Sequence, residues 1–266
     1  MRWLGGILAS REKPGDDGSV AGRLAAALDA AQKRDYETAL AIWQPLAQAG
    51  VPRAQNNIGA CFAEGLGVER DAALAVRWLS LAAEGGDAIG RRNLAAAYFK
   101  GEGVAQDAVR AAALYRQAAE AGDGPAQDML SWMLLEGEMI PPDHAEAKRW
   151  AEAAAAQGVA AAMTRLGMIH HNALGVDRDP AAAVGWWSKA ARRGDPDAQA
   201  MLGAAYHLGA GVKRDPIAAF TWLLRGQKGG SQLAGPFIAA ARKFLKPSEI
   251  AEADRQSDQP LPEAVE

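Results

Sequence analysis

A block of thirty-six residues returns five times along this chain without insertion or deletion, starting at Val51, Asp87, Asp123, Val159 and Asp195. The copy at 159–194 reads VAAAMTRLGMIHHNALGVDRDPAAAVGWWSKAARRG. Its first half sets Ala162, Leu166, Ile169 and His170 at i, i+4, i+7 and i+8, one face of a helix. A turn, Ala-Leu-Gly-Val-Asp-Arg, interrupts the pattern. Asp179 then offers a carboxylate cap, and Pro180 suits the first helical position because it has no N–H to leave unpaired. Val184, Trp187, Ala190 and Ala191 form a second apolar face, and Gly194 can close the helix in the left-handed conformation. Each block is therefore two helices, and one block alone cannot bury its own apolar faces. Blocks at a fixed period of this size stack on one another. The expectation is an all-α, right-handed α-solenoid of antiparallel helix pairs, with about fourteen helices.

Numbering each repeat from 1 to 36 exposes its recurring positions. Position 21 is aspartate at 35, 71, 107, 143, 179 and 215, where it caps the second helix. Glu146, three residues beyond Asp143, completes a capping box there. Position 36 is glycine at 50, 86, 122, 158, 194 and 230. Position 8 is apolar (Ile58, Leu94, Leu130, Leu166, Leu202), and a small residue follows it: Gly59, Ala95, Gly167 and Gly203, with Ser131 the polar exception. The same register places a degenerate repeat at 19–50, five clear repeats at 51–230, and a half repeat with a cap at 231–256. That last part reads as a helix from Gln232 to Leu245, ended by Pro247, then a short helix to Gln256. Residues 1–18 read as a flexible tail and 257–266 as a disordered one.

Charge and composition exclude several classes. Net charge is −3, with lysines and arginines interspersed among acids, so no basic face points to nucleic acid. A single cysteine, Cys61, rules out a disulfide within the chain and fits a reducing, cytoplasmic setting. It shares position 11 with Ala97, Met133, Ile169 and Ala205, which makes it a buried hydrophobe rather than a nucleophile. His170 takes position 12 with Phe62, Tyr98, Leu134 and Tyr206, a core site. His171 and His207 lack the companions of a tetrahedral metal site, so neither metal nor cofactor is expected. Ser10–Arg–Glu–Lys13 matches a serine-x-x-lysine pattern without its companion motifs, and Gly101–Glu–Gly103 and Gly209–Ala–Gly211 are turns with no strand before them. No catalytic set emerges. Trp3, Leu4, Ile7 and Leu8 form a short apolar stretch that opens an alternative, contact with a membrane surface.

The repeated core is A-x-A-Q-x-x-L-G-x-x-Y-x-x-G-x-G-V-x-x-D-x-x-A-A-x-x-W. Its best copy is Ala198-Gln199, Leu202-Gly203, Tyr206, Gly209, Gly211-Val212, Asp215, Ala218-Ala219 and Trp222. This pattern resembles the Sel-one-like repeat family, a branch of the tetratricopeptide-type α-solenoids, over about residues 22–245. The resemblance implies a non-enzymatic scaffold or adaptor, of the kind found in bacterial signalling and envelope control, with another protein or peptide as partner and a monomeric state. It also carries two alternatives: an envelope-associated regulator, and a β-lactamase-like hydrolase. Family members with cysteine bridges in each repeat are secreted, and this chain lacks those cysteines. The third repeat departs from the pattern, with Met139-Ile140-Pro141-Pro142 in place of the Gly-Val turn, so a stiffer or displaced loop is expected there.

In such solenoids the first helix of each pair lines a concave groove. Carried over, that places positions 3, 6, 10 and 13 in the groove. The partner-binding residues expected on this basis are Asn56, Arg92, Phe99, Trp132, Leu135, Met168, His171 and His207, with Asn93 and Arg165 beside them at position 7. Trp132 stands out, because position 10 is otherwise Ala60, Ala96, Met168 and Ala204. The other repeat tryptophans recur at positions 28 and 29 and read as core or near-core aromatics.

Overall fold

The computed structural model describes residues 19–261. The expected N-terminal tail, its apolar stretch and the Ser10–Lys13 pattern lie outside the described residues, as do 262–266. Fourteen helices and no strand occur among the described residues. In order they are α1 (Val20–Gln32), α2 (Tyr36–Gln48), α3 (Pro52–Glu64), α4 (Ala72–Glu84), α5 (Ala88–Lys100), α6 (Ala108–Glu120), α7 (Gly124–Glu136), α8 (His144–Ala156), α9 (Ala160–Asn172), α10 (Pro180–Arg192), α11 (Pro196–Leu208), α12 (Pro216–Lys228), α13 (Gly235–Arg242) and α14 (Pro247–Asp258). This is the stacked-pair α-solenoid that the period demands. The third repeat keeps the same helix boundaries despite its proline-rich turn.

The turns explain why the register never slips. The position-21 aspartates at 71, 107, 143, 179 and 215 each accept a bond from a backbone N–H within the first turn of the following helix. The N–H of each of these aspartates in turn donates to the position-12 carbonyl of the same repeat, at 2.9 Å for Asp71 to Phe62 and 3.2 Å for Asp215 to Tyr206. The position-36 glycines take φ between 83° and 93°, as the helix ends require. Packing follows the small-residue step at position 9. A Cβ on Gly59 would lie 2.8 Å from Leu79, one on Gly203 2.7 Å from Leu223, and one on Gly167 2.2 Å from the Trp187 indole. Glycine there lets α4, α10 and α12 seat the large position-29 side chains Leu79, Trp187 and Leu223 against the preceding helix.

The chain divides into two compact units, one of residues up to Leu130 with Glu138–Ile140, the other of Ser131–Gly137 with Pro141 onward. In the first, Trp43, Leu46, Ile58 and Cys61 lie in the core with the small residues of α1 to α3. In the second, Leu166, Ile169, Trp187 and Leu202 form the centre of the core. Trp186 and Trp222, both at position 28, are half-buried against it.

The C-terminal end differs from the expected layout. The half-repeat helix is shorter, Gly235–Arg242 rather than Gln232–Leu245, because Pro236 sits in its first turn and fixes where it starts. Pro247 opens α14, and that helix runs to Asp258. Ser257 is buried rather than part of a disordered tail.

Candidate interaction face

The residues expected to line a groove separate by repeat position. At position 6 they are buried polar links between repeats. Asn56 is fully buried, and its carbonyl oxygen accepts from Asn93 Nδ2 at 2.8 Å. Asn56 Nδ2 donates to Asn57 Oδ1 at 3.1 Å, so three asparagine amides form a chain through the first unit. The Arg92 guanidinium lies 2.9 Å from the Asp123 carboxylate, with both side chains nearly buried. Asp123 also caps α7 through the Ala126 N–H at 2.8 Å. Tyr115 belongs to this network: burial raises its phenol pKa, Arg92 opposes the rise and Asp123 adds to it. In the second unit Thr164 Oγ1 donates to Asp195 Oδ1 at 2.9 Å, and Asp195 caps α11. A buried polar group needs such a partner, and Arg92 and Thr164 find one in the capping aspartate of the next repeat, Asn56 in the Asn93 amide. Asn56 and Asn93 are thus buried and Arg92 nearly so, each with a polar partner inside the first unit.

A second set of links was not singled out from the sequence. The position-5 glutamines 55, 127 and 199 donate through Nε2 to Ala47, Ala119 and Ala191 carbonyls at 3.2, 3.0 and 3.1 Å. Those carbonyls belong to the last turn of the preceding helix, where backbone acceptors have no intrahelical partner. The signal was present as the recurring glutamine of the repeat. Position 20 acts likewise: Arg70, Gln106 and Arg178 donate to the position-13 carbonyls of Ala63, Phe99 and His171.

Positions 10 and 13 behave differently. Ala60 and Ala204 are buried at position 10, whereas Trp132 is half-buried and Met168 is 37% exposed. At position 13, Phe99, Leu135, His171 and His207 are all half-buried. The His171 ring rests on Trp187, centroids 5.4 Å apart, and Trp187 Nε1 donates to the Thr164 carbonyl at 3.2 Å. His207 faces Phe244 at 5.6 Å, and the Arg214 guanidinium lies 4.5 Å above that phenyl ring. Arg165 is half-buried beside this row. Phe99 lies in the first unit, while Trp132, Leu135, Arg165, Met168, His171 and His207 lie in the second.

Reactive chemistry is sparse. Burial pushes the Cys61 thiol up to about 12, which keeps it protonated and unreactive. Among the described residues, no cluster of three or more His, Cys, Asp or Glu side chains comes together to hold a metal. No helix among them is long and apolar enough to cross a membrane.

Helix pairs of one length, capped alike and clamped to their neighbours, define a helical-repeat scaffold. The Sel1 repeat profile matches residues 52–87, 88–123, 124–159, 160–195 and 196–230, and the chain belongs to the Sel1 repeat family. It is similar to the crystal structure of a Sel1 repeat protein from Oxalobacter formigenes, with 29% identity over 88% of this chain and 96% of that one, at a TM-score of 0.78. A sel1 repeat protein from Klebsiella pneumoniae shares the fold at 21% identity and a TM-score of 0.50, over 75% of this chain and 97% of that one. No curated protein matches. Sel1 repeat proteins generally bind other proteins.

Proposed function

We propose that this chain is a non-catalytic, cytoplasmic scaffold that holds an extended or helical peptide segment of a partner protein on the first-helix face of its second unit. Trp132 and Met168 are the anchors in this reading, with Leu135 and His171 behind them and Arg165 and His207 at the margin. The observation that supports it most is at position 10. Ala60 and Ala204 are buried and small, Ala96 is small and half-buried, and the two large copies are Trp132, half-buried, and Met168, 37% exposed. Burial explains Ala60 and Ala204, and the half-buried Ala96 shows that position 10 does not require an indole or a thioether for packing. Tryptophan and methionine are enriched in protein interfaces, where they supply large apolar contacts at few positions. Phe99 is the equivalent candidate in the first unit.

The test is a peptide-display selection against the full chain, with recovered peptides measured against wild type and a Trp132→Ala/Met168→Ala protein. At least tenfold weaker binding to the double variant is expected, with helical content retained and only a small drop in melting temperature. Equal binding by both proteins would move the site off this face.

A further inference from the structure

The last helix is held in an unusual way. On its buried side α14 presents only small or modest residues: Ala253 and Ser257 are buried, and Ile250 leans on the cluster of Phe220 and Leu223. Its attachment to α12 is largely polar. Arg225 Nη2 donates to the Gln256 and Gln259 carbonyls at 2.6 and 2.9 Å, satisfying acceptors at the C-terminal end of α14. Lys228 Nζ bonds Ser257 Oγ at 2.7 Å and Asp258 Oδ1 at 2.6 Å, with Asp254 at 3.5 Å.

Those acids sit where a helix least favours them. Asp254 and Asp258 lie in the last turns of α14, next to the negative end of its dipole. A twelve-residue helix is marginal by itself in water. Its N-terminal half is self-capped by Pro247 and by Glu249, which accepts from the Lys246 N–H at 2.7 Å. Its C-terminal half has local bonds, Ser257 Oγ to the Asp254 carbonyl and Gln256 Nε2 to Glu252, both at 2.6 Å, and is tied to the rest of the chain by the two α12 cations. These pairs are open to solvent, with Lys228 44% exposed and Asp258 68%, so salt screens them.

We infer that the α12 surface is an exchangeable seat for an acidic helix with small residues on one face, and that α14 occupies it in cis as a releasable lid. Charge complementarity defines the occupant: small residues against the apolar cluster, and carboxylates or free helix-end carbonyls toward Arg225 and Lys228. The inference does not depend on the first-helix face and can fail or succeed without it.

Two measurements on the full chain test it. In hydrogen exchange, amides of 247–258 should exchange at least threefold faster in 0.5 M than in 0.02 M NaCl, with α9 to α12 unchanged. A fluorescent peptide of residues 247–261 should bind an Ala253→Asp protein, whose own α14 is unseated, at least tenfold more tightly than it binds wild type. Exchange of 247–258 that is indifferent to salt would overturn the proposal. So would absence of peptide binding to an Ala253→Asp protein that keeps its protection in α9 to α12.

Discussion

Residues at equivalent positions do different work in this chain, and single substitutions separate the roles. Ser131 occupies the position-9 slot that elsewhere holds glycine or alanine, and its hydroxyl is fully buried with no hydrogen-bond partner. Removing an unsatisfied buried hydroxyl while keeping its carbon is favourable, so Ser131→Ala should stabilise the chain by about 1 kcal/mol, seen as a rise of roughly 3 °C in thermal denaturation. Ala173 sits at φ 57°, where Gly65, Gly101, Gly137 and Gly209 hold the same helix-ending conformation. An L residue there costs about 1 kcal/mol, and Ala173→Gly should recover most of it in the same assay. Arg92→Ala should cost about 3–5 kcal/mol by chemical denaturation, because it leaves the Asp123 carboxylate buried without its cation. A loss below about 1 kcal/mol would return Arg92 to the surface role expected from its sequence position.

Among the elements, helix number, helix length and turn chemistry were legible from the period, the position-21 aspartates and the position-36 glycines. These are local signals, since a cap or a left-handed turn is set by a few adjacent residues. The face that each polar side chain uses was not legible. Asn56, Arg92 and Asn93 read as groove residues because positions 6 and 7 were carried over from the first-helix geometry of tetratricopeptide-type solenoids. Asp123 for Arg92, and Asn93 for Asn56, lie about one repeat away in sequence and are brought close only by stacking. At the C-terminal end the late start of α13 is a local effect of Pro236, whereas the end of α14 at Asp258 is also held by Arg225 and Lys228 of α12, which local propensity does not register. At this scale Leu166→Ala should cost about 3 kcal/mol, since the side chain is fully buried in the core of the second unit. Trp132→Ala, at a half-buried position, should cost less than half of that by the same denaturation series.

Within each compact unit, links such as Arg92 to Asp123 and Thr164 to Asp195 join successive repeats, so stability is shared between neighbours. Trp132 and Met168 mark the proposed partner-binding face of the second unit. Hydrogen exchange on the full chain, with and without a peptide recovered by display, reads that face directly. The expected result is added protection in α7 and α9 around Trp132 and Met168, with α8, α10 and α12 unchanged. Protection confined to the second helices, or to the α12 seat, would contradict it.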